Sequence, residues 1–391
     1  MAWSRWIQRL FGGGGPPTEE APAVVEPEPE SAFHPEMFAA LRAQPDDPGC
    51  YQVLADWLLE QDDPRGHFIL AMREGKIPVE MLVAHTHRFY GPLRDEGHVD
   101  VGPAHPLKRL AGDTWHSKEP ETRGVVIGWR YGFVERLWIR PRVGDNGQPG
   151  PPPETISAFL NHRSCWVLRD LTFAGSHLQD VKLDGTYPTV RTLRIGDFIY
   201  PDECEASWSM LGDWSLVRER FPNATQVTVQ GNVDALDLPD NVESFTLESA
   251  VVLGNVVRQI LARGKPMQHL ELWTSSDAYG GNVELEDLEA LAHLTVSHLG
   301  VRNCEFTDAF VDWLVKQPVA KGLRTLDLSL GTLTDEGART LLEHRSAFPE
   351  LVRLDINDNA VQDATSELEA AFGNRLHVGD QDTEPYVSVT E

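Results

Sequence analysis

A strand-like pattern with three apolar positions, spaced like the leucines in LxxLxL, recurs nine times along the chain. The middle apolar residue of each unit lies 18 to 34 positions before that of the next unit. The last three of these intervals, of 29, 27 and 28 residues, are the most regular. A unit of this length cannot bury an apolar face alone, so neighbouring units must stack and share one core. The pattern therefore predicts parallel strands at residues 134–139, 168–173, 190–195, 224–229, 242–247, 267–272, 296–301, 323–328 and 351–356.

The two most regular units lie together in GLRTLDLSLGTLTDEGARTLLEHRSAFPELVRLDINDNAVQDA, residues 322–364. This segment resembles the ribonuclease-inhibitor type of leucine-rich repeat, in which a helix follows each strand. It predicts a helix over DEGARTLLEHR, capped by Thr334 or Asp335, with Ala338, Leu341 and Leu342 turned inward.

Asn359 and Cys304 occupy the same place in their units, nine positions into each. The resemblance implies that these side chains bond the turn backbone where the chain leaves the strand. We therefore expect structural roles for both, and a turn role rather than a reactive thiol for Cys304.

The segment before the strands has a helical pattern with two Asp-Asp-Pro units. Asp47 and Asp63 each precede a proline, and aspartate is a strong helix N-cap while proline suits the first helical turn. Two helices should therefore begin there. On the first of them, the pattern predicts an apolar stripe made of Val53, Leu54, Trp57 and Leu58.

The segment QPDDPGCYQVLADWLLEQDDPRGHFI, Gln44 to Ile69, resembles the repeat-companion domain that accompanies leucine-rich-type repeats in some bacterial proteins. The most specific matches are the Ala-Asp-Trp-Leu run at positions 55–58 and the Asp-Pro-Arg-Gly run at positions 63–66. The resemblance extends to residues 90–93 and 129–137. Two positions depart from it, because Asp62 stands where glycine is usual and His67 where glutamate is usual. The family implies no catalytic activity.

The acids of this segment allow a structural and a metal-binding interpretation. In the structural one, Asp47 and Asp63 are caps and Asp56 pairs with a base such as Arg65, because an unpaired charge at a buried edge is costly. In the other, residues 46, 47, 62 and 63 bind a metal. A calcium loop needs acids at alternating positions and a closing glutamate, so the spacing favours caps.

The chain has 391 residues and a formal net charge of −26, which disfavours binding to nucleic acid. Its four cysteines are widely spaced and include no CxxC pair, as is usual in a reducing compartment. No apolar run reaches the length of a membrane-spanning helix. We expect a cytoplasmic protein, with no cofactor.

The first residues, MAWSRWIQRLF, have the spacing of a short amphipathic helix rather than of a secretory signal. This pattern allows weak peripheral docking on a membrane, docking into a partner groove, or a frayed terminus. The residues that would dock are Trp3, Trp6, Ile7, Leu10 and Phe11.

The residues between the apolar positions of the stacked strands should share one face of the sheet. Tryptophan and arginine are enriched in binding hot spots, and both occur there, with a basic and aromatic N-terminal end and acids near the C-terminal end. A solvated face without a ligand is the alternative. The predicted partner-binding residues are Arg136, Trp138, Arg140, Arg194, His269, Glu271, Trp273, His298, Arg302, Asp327 and Asp355.

His269 and His298 occupy equivalent positions in adjacent units, and Glu271 should share their face. Two histidines and a glutamate can bind a metal, although two histidines at a recurring position are also ordinary surface residues. No phosphate-binding glycine loop, GxSxG or HExxH motif occurs. We therefore predict no metal site, with a metal-dependent enzyme as the weakest alternative.

The predicted fold class is α/β, with a small N-terminal helical domain followed by an irregular leucine-rich-repeat solenoid that carries a parallel sheet on its concave face. The expected divisions are an N-terminal peptide and linker (1–34), helical domain (35–93), connector (94–124), solenoid (125–376) and acidic tail (377–391). The predicted function is a non-enzymatic scaffold that binds an unknown protein partner through the concave face. The alternative is a peripheral membrane adaptor that docks through residues 3–11.

Overall fold

The structure is a computed structural model that describes residues 31–95, 124–142, 150–275 and 277–387. Its first part is helical, and a 3-10 turn at Gly91–Asp95 ends it. The helices are Pro35–Ala43 (α1), Pro48–Glu60 (α2), Pro64–Arg73 (α3), Val79–Ala84 (α4) and Thr86–Tyr90 (α5).

Helices α2 and α3 begin where the Asp-Pro units predict. The Asp47 carboxylate accepts a hydrogen bond from the Gly49 amide at 2.8 Å, and Asp63 accepts one from the Arg65 amide at 2.9 Å. Each cap satisfies an amide that has no partner within its helix. The cap interpretation of these two acids is confirmed.

The buried face of α2 differs from the predicted stripe by about one position. Its buried residues are Tyr51, Leu54, Ala55 and Leu58, whereas Val53 is 56% exposed. The prediction for Val53 is therefore wrong, because Tyr51 and Ala55 complete the i, i+3, i+4, i+7 row and rotate the face away from it.

The expected ion pair between Asp56 and Arg65 is also wrong. Asp56 accepts a hydrogen bond from Gln52, one helical turn earlier, at 2.8 Å. Arg65 is fully buried and bonds the Ser31 hydroxyl at 3.1 Å, the Ser164 hydroxyl at 3.0 Å, and the carbonyls of Arg88 and Gly132. Its guanidinium thus joins the helical segment to the rest of the chain.

Asp63 has a second role besides its cap. Its carboxylate forms a salt bridge with Arg88 at 2.8 Å and accepts the Ala32 amide at 2.7 Å. Both side chains of this salt bridge are nearly inaccessible to solvent. Asp63 therefore fixes the start of α3 against α5 and against the chain that precedes α1.

Eleven strands form one large sheet among the described residues, and its pairs are parallel except for β1 with β2. Its order is β1-β2-β3-β4-β6-β8-β9-β10-β11-β12-β13. The strands are Val125–Arg130 (β1), Phe133–Ile139 (β2), Asp170–Phe173 (β3), Thr192–Ile195 (β4), Gly212–Trp214 (β5), Gln226–Gln230 (β6), Val233–Leu236 (β7), Ser244–Glu248 (β8), Met267–Ser275 (β9), Val296–Cys304 (β10), Thr325–Asp327 (β11), Arg353–Asp355 (β12) and Leu376–His377 (β13).

All nine predicted strands lie in this sheet, in the predicted order and register. The middle apolar residues pair directly from strand to strand, from Leu137 with Leu171 to Leu326 with Leu354. The three apolar positions of every unit are at most 4% exposed. The shared core and the parallel pairing are therefore confirmed, and the chain has a repeat-like, mixed α/β fold.

Three features of the strands were not predicted, and one of them is strand β13, which pairs parallel with β12. Strand β1 pairs antiparallel with β2 through a two-residue turn, in which Tyr131 and Gly132 have φ angles of 45° and 77°. Strands β5 and β7 form a separate two-stranded sheet. The antiparallel β1 ends the parallel array on its N-terminal side.

Helices and 3-10 turns connect many of the strands. The helices are Pro153–Leu160 (α6), Val217–Arg220 (α7), Gly254–Leu261 (α8), Thr307–Leu314 (α9), Asp335–Glu343 (α10) and Thr365–Phe372 (α11). The remaining 3-10 turns are Arg163–Cys165, Ala206–Trp208, Asp277–Tyr279, Leu285–His293, Pro318–Gly322, Arg345–Ala347 and Gly373–Arg375.

Helix α10 follows its prediction closely. Thr334 is the N-cap and accepts the Glu336 amide at 3.1 Å. Ala338 and Leu341 are fully buried, and Leu342 packs against the same core while partly exposed. The apolar stripe of this helix therefore faces the sheet.

Asn359 and Cys304 lie at turns, as predicted. The Asn359 side chain is 1% exposed, accepts the Leu333 amide at 2.8 Å and donates to the Leu328 carbonyl at 2.9 Å. Cys304 is fully buried, and burial raises the pKa of its thiol to about 11. A thiol held in its protonated form is a poor nucleophile, which agrees with a structural role.

Residues beyond β13 contact the last units of the sheet. The Gln381 amide donates to the Ile356 carbonyl at 2.8 Å and accepts from the Val361 amide at 3.0 Å, and Val387 is 4% exposed. This part of the predicted tail therefore covers the end of the core. Among the described residues, no helix combines the length and apolarity that crossing a bilayer requires.

Candidate functional site

The polar face of the sheet is defined here by the residues that alternate with the buried apolar positions. All eleven predicted partner-binding residues belong to it or to its strand ends. Parallel in-register strands bring their side chains into rows across the sheet, because successive side chains along a strand point to opposite faces. The rows place residues from distant parts of the chain side by side.

At the N-terminal end of the polar face, Asp197 joins two of the predicted residues. It accepts a hydrogen bond from the Trp138 indole at 2.7 Å and forms a salt bridge with Arg194 at 3.2 Å. Asp197 follows β4 and is 7% exposed. A half-buried tryptophan and an arginine from different strands are thus held in fixed positions by one carboxylate.

The other two arginines at this end are also paired. Arg136 lies 3.2 Å from Asp170, and Arg140 lies 3.1 Å from Glu203. The Arg140 guanidinium also lies over the Trp138 ring, 5.3 Å from its centre. Arg136, Arg140 and Arg194 therefore each have a carboxylate partner, so the positive charge at this end is largely balanced.

Toward the C-terminal end, Arg302 is the centre of a network across β9, β10 and the end of β11. It donates to Glu271 and to the Ser329 hydroxyl, both at 2.9 Å, and lies 3.7 Å from Asp327. Its guanidinium lies over the Trp273 ring at 4.9 Å, while the Trp273 indole donates to Glu271 at 2.9 Å. The network therefore fixes the orientation of the Arg302, Glu271 and Trp273 side chains.

Electrostatics keep this network charged. Burial alone would raise the pKa of the Glu271 carboxyl, but the Arg302 charge and hydrogen bonds from Trp273 and Arg302 outweigh it, and its pKa is lowered. The pKa of Arg302 is raised, because Glu271 and Asp327 outweigh the effect of burial. Glu248 on β8 behaves in the opposite way, because burial and the Glu271 charge raise the pKa of its carboxyl against the effect of Arg194.

His269 and His298 are adjacent, as their equivalent positions predict. Their rings stack with centres 4.1 Å apart and planes inclined by 20°. Nε2 of His269 lies 3.2 Å from the Thr246 hydroxyl and 3.8 Å from a Glu271 oxygen. One ligand atom from each of His269, His298 and Glu271 lies within 4.8 Å of the other two.

Both imidazoles are neutral at neutral pH. Burial and the neighbouring His298 lower the pKa of His269 to about 4, against the opposing effect of Glu271. Burial also lowers the pKa of His298, against the opposing charges of Glu271 and Asp327. Neutral rings retain a nitrogen lone pair, which is the form that binds metal ions.

Three predicted partner-binding residues are less available than expected. Arg140, Trp273 and Asp355 are 7%, 9% and 6% exposed, so they offer little area to a partner. Asp355 is also engaged by Arg353 at 2.6 Å. Neighbouring side chains therefore cover most of these three residues, and their contact with a partner stays a prediction. The half-buried members are Arg136, Trp138, Arg194, His269, Glu271, His298, Arg302 and Asp327.

Asp197 and Glu203 take part in these networks but were not predicted. They lie after strand β4, outside the alternating strand positions from which the face was deduced. An acid directly after a strand that carries an arginine, as in Arg194 and Asp197, is the one signal that the sequence offers.

The acids of the helical segment do not gather into a metal site. Asp46 pairs with Arg130 at 3.2 Å and with Arg169, and Asp62 has a positive φ of 53° in the turn before α3. Within the described part of the chain, the group of metal-ligating side chains close enough to share an ion is His269, Glu271 and His298.

The predicted docking helix lies outside the described residues. This concerns Trp3, Trp6, Ile7, Leu10 and Phe11, for which membrane or partner contact stays a prediction.

Comparison with known proteins supports the fold alone. No family model and no curated protein matches the chain. A crystal structure of a Bacteroides fragilis protein matches with a TM-score of 0.50 and 21% sequence identity, over 59% of this chain and 72% of that chain. The match agrees with the repeat-like α/β architecture seen here.

Proposed function

We propose that this chain is a non-enzymatic scaffold that binds a protein partner through the polar face of its sheet. The observation that carries this proposal is the fixed position of Arg302, a 24% exposed side chain held by Glu271, Ser329 and the Trp273 ring. Arginine and tryptophan are the residue types most enriched in binding hot spots.

Pre-organisation is what makes this face suited to binding. Ordering a long side chain at an interface costs about 0.5–1.5 kcal/mol, and that cost is avoided where the free protein already holds the side chain in place. Arg302 is held by Glu271 on the neighbouring strand β9, and Trp138 is held by Asp197, which follows β4. A partner that packs against Arg302 and Trp138 would therefore meet a prepared surface.

We further propose that the repeating units are leucine-rich repeats of the ribonuclease-inhibitor type, stacked as a solenoid with the polar face on the concave side. The in-register apolar rows, the helix α10 and the turn bonds of Asn359 support this assignment. Concave faces of such solenoids are extended binding surfaces.

The helices of residues 35–93 would then form a repeat-companion domain. The resemblance gains support from the physical roles of its most specific run, since Asp63 caps α3, Arg65 bonds the sheet, and Gly66 lies against α2. In this proposal the domain closes the N-terminal end of the solenoid.

A pulldown from cells of the native host tests partner binding. The full chain should capture a specific protein, and Trp138→Ala with Arg302→Ala should reduce its recovery by about tenfold or more, as expected when a hot spot is lost. Arg345→Ala on the opposite, helix-covered side is the matched control, because Arg345 is exposed and bonds only its own turn in the described structure.

Equal recovery with wild type and the double variant, at equal unfolding midpoints, would contradict binding through the polar face. Loss of recovery with the Arg345→Ala control would place the contact on the helix side instead.

A further inference from the structure

On the polar face beside the stacked histidines, Gly300 has no side chain. A Cβ at Gly300 would lie 2.9 Å from Cγ of Glu271, so only glycine lets the Glu271 side chain extend over β10. His298 is two residues before Gly300 on the same strand, and His269 pairs with His298 across the strands. The glycine thus allows the carboxylate to approach both rings.

The three side chains retain ligand atoms that the surrounding protein does not use fully. Nε2 of His298 is buried and has no hydrogen-bond partner among the described residues. Oε1 of Glu271 accepts from Trp273 and Arg302, which leaves Oε2 facing His269 at 3.8 Å. A buried nitrogen without a partner is unfavourable, and a bound cation would satisfy it.

The charge around the two histidines and Glu271 also favours a cation. Arg302 lies between two acids, 2.9 Å from Glu271 and 3.7 Å from Asp327, so one guanidinium faces two carboxylates. One negative charge therefore remains, and it attracts a cation beside Glu271. The ring nitrogens and the carboxylate oxygen are also the donor set that zinc and related ions prefer.

We propose that His269, His298 and Glu271 form a binding site for a divalent transition-metal ion of the zinc class, with a position left open to water. Zinc ligands lie about 2.0–2.2 Å from the ion, which places tetrahedral ligand atoms roughly 3.4 Å apart. The three atoms now lie within 4.8 Å of one another, so binding requires side-chain rotations that turn the stacked ring nitrogens toward one ion. This site does not depend on partner binding.

The test is a titration of the tag-free full chain, stripped of metal with a chelator, by Co²⁺. We expect protein-bound Co²⁺ in a low-symmetry site to give a visible ligand-field absorption. This absorption should saturate at one equivalent of Co²⁺ per chain and should disappear when Zn²⁺ is added. His298→Phe keeps a stacked aromatic ring but lacks the nitrogen, and it should weaken Co²⁺ binding by about 100-fold. Glu271→Gln should also weaken binding.

The matched control is His377→Ala, an exposed histidine on β13 outside the cluster, which should leave the titration unchanged. Unfolding midpoints show whether each variant is folded, and His269→Phe provides an independent variant of the second ligand. The proposal is overturned if wild type shows no saturable absorption, or if the folded His298→Phe and His269→Phe variants bind Co²⁺ as wild type does.

Discussion

At the scale of single residues, Asp62 shows how a non-glycine residue in a tight turn carries a physical cost. Asp62 has a φ of 53°, in the left-handed region that favours glycine. A residue with a Cβ is strained there by roughly 1–2 kcal/mol, although aspartate tolerates the region better than most. The backbone of the turn between α2 and α3 would therefore suit glycine better than aspartate.

Asp62→Gly should stabilise the protein by up to about 1 kcal/mol, because glycine adopts this conformation without steric cost. The measurement is the free energy of unfolding in urea. Gln61→Gly is the matched control, since Gln61 has a φ of −94° and glycine there only adds freedom to the unfolded chain. If both variants lose stability equally, the turn is not strained at Asp62.

Side-chain pairing was harder to predict than helix caps. An aspartate before proline reports its role through local sequence alone, and Asp47 and Asp63 were predicted correctly. The partner of Asp56 depends on where Arg65 points, and Arg65 lies in the core among groups from residues 31, 88, 132 and 164. Nearness in sequence gives no information about such contacts.

At the scale of elements, Gly66 sets the distance between α2 and α3. A Cβ at this position would lie 2.9 Å from the Ala55 carbonyl oxygen, 2.9 Å from Cγ of Leu59 and 3.0 Å from its amide nitrogen. Real Cβ atoms do not approach backbone atoms so closely, so any larger residue must push the helices apart. The helices pack at this distance because residue 66 is glycine.

Gly66→Ala should therefore destabilise the protein by about 1–3 kcal/mol, even though alanine is the better helix former by about 1 kcal/mol. Gly322→Ala is the control, because its Cβ would meet only the Val296 carbonyl oxygen at 3.8 Å. Chemical denaturation of both variants gives the comparison. A Gly66→Ala protein as stable as wild type would show that the helices separate without cost.

Strands that carry the recurring apolar spacing were predicted well from the sequence. A strand that is recognisable only from the turn beside it was predicted poorly. The nine units share an apolar spacing that survives changes in connection length, so their register followed from it. Strand β1 has no such repeat and pairs through Tyr131 and Gly132, a turn with positive φ at both positions. That turn type matches the twist of a hairpin, and Tyr-Gly is a weak signal for it.

The candidate site was predicted as a surface but not as a network. Its residues came from strand register, which fixes rows of side chains. Whether those side chains bind each other or remain free depends on acids such as Asp197 and Glu203, which lie after β4. Burial of Arg140 accompanies its pairing with Glu203, and burial of Trp273 accompanies its packing against Ala206, Ala250 and Leu330, which lie outside β9.

At the scale of the whole molecule, the helical segment and the start of the sheet share a core. Phe133 of β2 packs with Phe38 of α1 and Tyr51 of α2 at ring distances of 6.1 Å each. Phe89 and Phe133 also lie on either side of the Arg65 guanidinium, at 4.9 and 5.0 Å. Elements joined by one core and one hydrogen-bond network tend to unfold as a single cooperative unit.

We therefore predict that Arg65→Met lowers the protection of backbone amides from hydrogen exchange in α2 and β2 together, by about 3 kcal/mol or more. The substitution keeps an apolar stem but leaves the Gly132 and Arg88 carbonyls without their buried donor, and unpaired buried groups are costly. Arg73→Met on the same helix is the matched control, because Arg73 is exposed and bonds only Gln52 in the described structure. Hydrogen exchange is measured by mass spectrometry on peptides from both elements. If protection falls in α2 but is unchanged in β2, the helices unfold as an independent unit and the guanidinium does not couple them to the sheet.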